Sequence, residues 1–315
     1  MAKLNRDIPL LITGSRGVLG TALIKILQSE GFTQLLTPKR HEMDLLDPIS
    51  TQTYFSRHRP QAIIHLASLV LGLGGNLKYQ LRSAIENTSI NNNIFSSIQK
   101  YPVKNFFYAG TVASYPFPYH SLPLTEKVFF EGLPHYGEFG YAMAKRHAYT
   151  YLRILSEEIG LRYTYGIFTN LYGEHDRFDP ENGHVIPSLI AKAYESSKSQ
   201  EALVVWGDGT AERDFLHAKD AAKAILLCLD QDDENSLINI SSGIGVSIRY
   251  LAETLATIAK IPRLIFSTDK PAGIPRRIVD NKKLVQSGFI QSISIEDGLS
   301  NTYKWYLSNI GNIRR

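Results

Sequence analysis

The chain has 315 residues, 43% of them hydrophobic, and a formal net charge of +4 at pH 7. That size and apolar content describe one large globular domain or two closely joined ones, with charge too small and too dispersed for a nucleic-acid footprint. Cys228 is the single cysteine, so no disulfide framework can form, and no apolar stretch of about 18 residues crosses a membrane.

The first eight residues run directly into the apolar PLLITG, which reads as a strand ending at glycine, with no cleavage site of a signal peptide. With the lone cysteine, this sets the expectation of a cytoplasmic protein. TALIKILQSEG then places Leu23, Ile24 and Leu27 at helical spacing before a stop at Gly31. TQLLTP is a second short strand, TQTYFSRHRP a helix, QAIIHLAS a strand, and KNFFYAG another strand after a long segment over 80–100. Strands alternating with amphipathic helices mean repeated βαβ units on a parallel sheet. The predicted class is α/β, a Rossmann-type doubly wound parallel sheet with a smaller α/β C-terminal substrate domain. The texture changes after about residue 172, at the turn-rich GEHDRFDPENGH. We therefore expect a cofactor domain over 1–172 and a mainly substrate-binding domain over 173–315, with possible returns to the first from 203–242.

Gly14, Gly17 and Gly20 join the first strand to the first helix. Glycines there allow a tight turn and close approach of backbone to a pyrophosphate, which the helix N-terminus then faces. After the second strand, where a carboxylate would grip the ribose of NAD, the sequence has Lys39 and Arg40. Those cations, with Arg16 in the turn, suit the 2′-phosphate of NADP. Asp44 is placed either at the adenine edge or at the start of a helix.

Tyr141 and Lys145 fall four apart in the helical run YAMAKRHAYTYLRILSEE, on one face. A lysine beside a phenol is expected to lower the phenol's pKa and ready it for proton exchange. Thr111, at the end of the strand KNFFYAG, can supply a hydroxyl to hold a substrate carbonyl.

These residues resemble the extended short-chain dehydrogenase/reductases, and the resemblance to the GDP-L-fucose synthase family extends over nearly the full chain. It is carried by the glycine turn, KRHEMDLLD, HLAS, Tyr141 and Lys145, TNLYGEHDRF, HVIPSLI, VVWGDGTAERDFLH and GIPRRIVD. The resemblance implies NADP(H) as cofactor, a GDP-linked 4-keto-6-deoxy sugar as substrate, and a homodimer paired through helices near 80–100 and 141–157. It also implies Thr111, Tyr141 and Lys145 as the reductase triad, and Asn170 and His184 beside the sugar. Lys192, Trp206 and Arg213 fall where the family grips GDP. His175, Asp176, Asp179, Glu181 and His184 follow no metal-ligand spacing, so no metal is expected.

The family's epimerase step uses a cysteine in the strand-end motif and the histidine of the H-V-I-P motif. In GTVASYP the place of that cysteine is Ala113, while Cys228 lies in an apolar helical stretch and is expected to pack in the core. Removing a proton α to a ketone and returning it from the other face normally needs two groups. The sequence therefore predicts a 4-reductase that has lost 3,5-epimerisation. A bifunctional fucose or colitose synthase is the alternative. Two readings from other classes are disfavoured: an NAD-retaining epimerase by Lys39 and Arg40, and a non-catalytic NADP-binding regulator by the intact Tyr141 and Lys145. Ser114 is expected to point away from Ala113 on a continuing strand.

Overall fold

The structure is a computed structural model and describes residues 4–181, 183–231, 235–268 and 274–314. Asn182 of the turn-rich run and Gly273 of GIPRRIVD lie outside them. The first half runs β1 (Leu10–Thr13), α1 (Val18–Ser29), β2 (Leu35–Leu36), α2 (Pro48–His58), β3 (Ala62–His65), α3 (Leu73–Lys78), α4 (Gln80–Lys100), β4 (Asn105–Thr111), α5 (Phe139–Ile159), β5 (Arg162–Phe168) and β6 (Asn170–Tyr172). The second continues with α6 (Val185–Ser199), β7 (Leu203–Trp206), β8 (Glu212–His217), α7 (Ala218–Leu229), β9 (Ser236–Ile240), β10 (Gly245–Ser247), α8 (Ile248–Ala259), β11 (Leu264–Ser267), β12 (Arg276–Arg277), α9 (Lys282–Gln286) and α10 (Ile295–Ser308).

Six strands form one parallel sheet in the order β2-β1-β3-β4-β5-β9. Its strands are apolar on both faces, as a sheet covered on two sides requires. On one face Leu11, Ile63, Phe106, Tyr108 and Tyr165 pack with Ile94 and Ile98 of α4 and Leu152 of α5. On the other, Leu10, Ile12, Ile64, Phe107 and Ile240 pack with Leu23 and Leu27 of α1 and Ile225 of α7. Each such fully buried side chain contributes about 1.5–3 kcal/mol. Cys228 belongs to this second core, buried as its apolar neighbours predict.

Strand order reverses between β1 and β3, which makes their carboxyl ends the switch point where ligands of such sheets bind. Within 203–242, from which returns to the first domain were expected, LINIS supplies β9 of this sheet, whereas LVVWG supplies β7, which pairs with β11. A third core, built on α6, α8 and α10 with Leu203 and Val205, lies apart from both faces. Strand β8 connects the halves: it pairs with β6 on one side and with β10 and β12 in the smaller sheet.

Candidate active site

The glycine turn follows β1 directly. Gly14 has φ of +68°, and a Cβ there would lie 2.8 Å from the backbone nitrogen of Ala67. Gly20 is packed so closely that a Cβ would lie 2.3 Å from the carbonyl oxygen of Gly14. No side chain caps α1, whose N-cap is Gly17, so its first amides stay open to phosphate oxygens. Arg16, Lys39 and Arg40 are exposed around this turn and the end of β2. The turn, the open helix end and the cations therefore fit a dinucleotide carrying an extra phosphate.

Asp44 does not start a helix. It accepts from the Leu46 backbone and pairs with Arg40 at 3.2 Å, while Asp47 caps α2 through the amide of Ile49. Both of Asp44's partners hold its carboxyl below the usual range, the backbone donor more than the arginine.

At the end of β4, Thr111 Oγ1 accepts from the Ala113 amide at 3.2 Å and caps a short 3-10 turn over Val112–Ser114. The strand thus stops at Thr111, and the expectation of a continuing strand through Ser114 is corrected. Ser114 is fully buried and its hydroxyl donates to the carbonyl of Ala142 in α5 at 3.1 Å. Ala113 presents only a buried methyl group.

Tyr141 and Lys145 share a face of α5, with Lys145 Nζ 5.8 Å from the centroid of the Tyr141 ring. Thr111 and Ser68 both act on the Tyr141 hydroxyl, each favouring its phenolate. Ser68 is a member that sequence reasoning missed; it is held in place by donating at 2.6 Å to Asn87 of α4. Lys145 is 2% exposed and donates to the carbonyl of Ala109 at 2.8 Å.

The electrostatics differ from the sequence expectation. Burial pushes the Tyr141 phenol up to about 12, against the opposing influence of Thr111 and Ser68, and pushes Lys145 down to about 7. Desolvation penalises both charged forms, and here it outweighs the attraction between an ammonium and a phenolate. Below Lys145, His65 is also fully buried and held neutral, its pKa brought down to about 3 by burial first and by Lys145 second. Thr13 Oγ1 accepts from the Leu66 and Ala67 amides, so its own proton goes to His65 Nδ1, 2.7 Å away. The neutral ring therefore carries its proton on Nε2.

The residues expected to hold the sugar nucleotide fall on several elements. Asn170 is tied to the backbone of β8, donating to the Asp214 carbonyl at 2.9 Å. His184 is an exposed residue at the N-terminus of α6; desolvation of its ring by the neighbouring atoms lowers its pKa, with Glu138 acting against that and Arg177 with it. Lys192 of α6 lies 3.9 Å above the ring of Trp206 at the end of β7, so this predicted pair is brought together. Arg213 is brought down to about 10 by burial and then by the like charge of Arg277. Among the described residues no cluster of three or more metal-ligating side chains occurs.

Glu138 and Arg277 are the other residues that sequence reasoning passed over. Arg277 stands inside GIPRRIVD, a motif quoted above without a role for its arginines. Glu138, three residues before Tyr141, carried no signal in its type or spacing. The two form a buried ion pair through both nitrogens of the guanidinium end, and Arg277 Nε donates to the Tyr119 hydroxyl at 2.7 Å.

The arrangement provides a proton donor, hydroxyls to orient a carbonyl, and a cofactor turn opposite several cations. Known proteins resemble the chain over nearly its full length. The NAD dependent epimerase/dehydratase family matches residues 10–241. GDP-L-fucose synthase 1 of Arabidopsis thaliana is 33% identical over 98% of this chain and 96% of its own length. GDP-L-colitose synthase of Yersinia pseudotuberculosis is 30% identical over 96% and 99%. Among solved structures, a GDP-L-fucose synthetase from Naegleria fowleri bound to NADP superposes with a TM-score of 0.91 at 29% identity, covering 99% of this chain and 96% of that one. A GDP-6-OMe-4-keto-L-xylo-heptose reductase from C. jejuni gives 0.90 at 25% identity, covering 98% and 99%.

Proposed function

Because the chain belongs to the NAD dependent epimerase/dehydratase family, among the relatives of GDP-L-fucose synthase, we propose that it is an NADPH-dependent 4-reductase. Its substrate is a GDP-4-keto-6-deoxy sugar, hexose or heptose, and it acts without 3,5-epimerisation. The observation that carries this reading is the meeting of Thr111, Ser68 and Lys145 around Tyr141 while a methyl group stands at Ala113.

Bound NADPH supplies the hydride. Gly14, Gly17 and Gly20 hold its diphosphate, Lys145 and Asp44 lie beside its nucleoside parts, and Arg16, Lys39 and Arg40 receive the extra phosphate. With its pKa raised to about 12, Tyr141 is protonated at neutral pH and so holds the proton that the C4 oxygen needs. Thr111 orients that oxygen by donating its hydroxyl proton, while the Ser68 proton stays directed at Asn87. Lys145, poised at about 7, stabilises the phenolate left behind and can return a proton to it.

Epimerisation would need protons removed and returned at the carbons flanking the ketone. Ala113 can carry none, and the Ser114 hydroxyl is turned into α5. Glu138 is tied to Arg277, so it too is held away from that task. Asn170, Lys192, Trp206 and Arg213 bind the GDP-sugar, the indole walling the nucleotide and the cations meeting its phosphates. Leu77, Tyr79, Leu81 and Ile85 expose apolar surface on and beside α3 and α4, and this supports pairing with a second copy. No helix among the described residues is long and apolar enough to cross a membrane.

The test uses GDP-4-keto-6-deoxy-mannose with the protein in heavy water, without NADPH, read by NMR. No deuterium at C3 or C5, followed by NADPH oxidation when cofactor is added, is the expected result. Exchange at both carbons would make the protein a bifunctional fucose synthase, and exchange at C5 alone a colitose-type enzyme. Ala113→Cys is expected to gain exchange. Tyr141→Phe is expected to lose turnover by at least about a hundredfold; unchanged turnover would end the catalytic assignment.

A further inference from the structure

Strands β8 and β12 are register partners, and the pairing places Arg277 directly beside Arg213. Partners in register point to the same face on strands about 4.8 Å apart. Two guanidinium groups thus stand together, Arg277 buried and Arg213 half-buried, which is costly unless anions meet them. They are not treated alike. Arg213 reaches only the main-chain oxygens of Glu212 at 2.8 Å and Pro275 at 3.4 Å, and among the described residues it makes no ion pair. Arg277 has a full set of partners: the Glu138 carboxylate on its Nη atoms and the Tyr119 hydroxyl on Nε.

Glu138 reaches across from the other half of the molecule. It is the residue from which α5 starts, so the helix carrying Tyr141 and the strand carrying Arg277 are joined by this one pair. Its charge acts on Tyr141, three residues along the same helix, and on His184 at the start of α6. The local count is two cations to one anion, a net charge of +1 before any ligand arrives.

We propose that Glu138 sets the phosphate selectivity of the site: its carboxylate occupies Arg277, so that the second phosphate of a nucleoside diphosphate competes with it for that cation. This inference rests on the reading of Arg213 as a phosphate-binding residue in the proposed GDP-sugar site. One phosphate is met by Arg213 without rearrangement. A second, on the same bridging oxygen, lies within the spacing of the two strands and reaches Arg277 only by sharing or displacing Glu138. Glu138 thereby weakens binding of the diphosphate relative to the monophosphate, and it ties occupancy of the phosphate subsite to the helix that bears Tyr141.

The experiment is calorimetric titration of the full chain with GDP and GMP, and with UDP and UMP. In Glu138→Gln the side chain keeps its shape but no longer holds Arg277 by charge. The diphosphate-to-monophosphate affinity ratio is expected to rise about tenfold over wild type, the worth of one charge-assisted contact. Tyr119→Phe frees Arg277 Nε while keeping the ring and the carboxylate, and is expected to shift the ratio in the same direction by a smaller factor. It carries the test if Glu138→Gln does not fold. A purely structural role for Glu138 would weaken all four nucleotides together and leave the ratio alone. A ratio that stays within twofold of wild type or falls, with nucleotides still binding, overturns the role of Glu138 only. Equal binding of uridine and guanosine nucleotides overturns the GDP reading while the ratio still reports on Glu138. If the wild-type protein binds none of the four, both readings fall.

Discussion

The ammonium of Lys145 sits 5.8 Å from the ring centroid of Tyr141 and spends a hydrogen bond on the carbonyl of Ala109, so the lysine is anchored to the sheet rather than to the phenol. Both groups are pressed by burial toward their neutral forms. Proton exchange at this site therefore begins from a protonated tyrosine and a lysine near its midpoint.

That depressed lysine has a consequence for stability. In the unfolded chain Lys145 binds a proton up to its ordinary value of 10.5, whereas in the fold it releases one at about 7. Between those values the unfolded state holds more protons, so stability rises with pH through this window, by at most about 1.4 kcal/mol per unit. Below about pH 7 the fold bears the full cost of the buried ammonium. Denaturant melts at pH 7 and 9 should show this gain in wild type and its loss in Lys145→Met. An equal slope in the two proteins would mean that Lys145 titrates normally.

Gly20→Ala tests the closeness of the cofactor turn. The added methyl would meet the Gly14 carbonyl at 2.3 Å and Ser15 Cα at 2.7 Å, both of them backbone atoms. The turn must open to make room, at a cost of about 1–3 kcal/mol. We expect a lower melting temperature and NADPH affinity reduced by at least tenfold, followed by fluorescence titration. Unaltered NADPH binding would show that the turn does not lie against the cofactor.

Lys39 and Arg40 are predicted to choose between the cofactors. The Arg40–Asp44 pair is exposed and worth no more than about 1 kcal/mol, so a phosphate can recruit the guanidinium readily. Substituting both cations by alanine should raise the KM for NADPH by roughly 10- to 100-fold, since two charge-assisted contacts are lost. The KM for NADH should stay unchanged. An equal rise for both cofactors would remove these residues from the 2′-phosphate.

Much of this was legible in the chain because the signals are local. The alternation of Leu10 to Ile12 and of Phe106 to Tyr108 between two cores follows from the pleat of a strand. The spacing of Tyr141 and Lys145 follows from the helical repeat, and the glycine turn from backbone sterics at Gly14. Those features, and the methyl group at Ala113, are properties of short segments that hold wherever the segments are placed.

What only the tertiary structure decided is what lies opposite each segment. The turn that buries the Ser114 hydroxyl in α5, the approach of Ser68 from the end of β3, and the ion pair from Glu138 to Arg277 all join residues far apart in the chain. The direction of the Tyr141 shift belongs with them. Sequence shows a cation four residues away, but desolvation depends on every atom packed around the phenol, and that sum exists only in the folded protein.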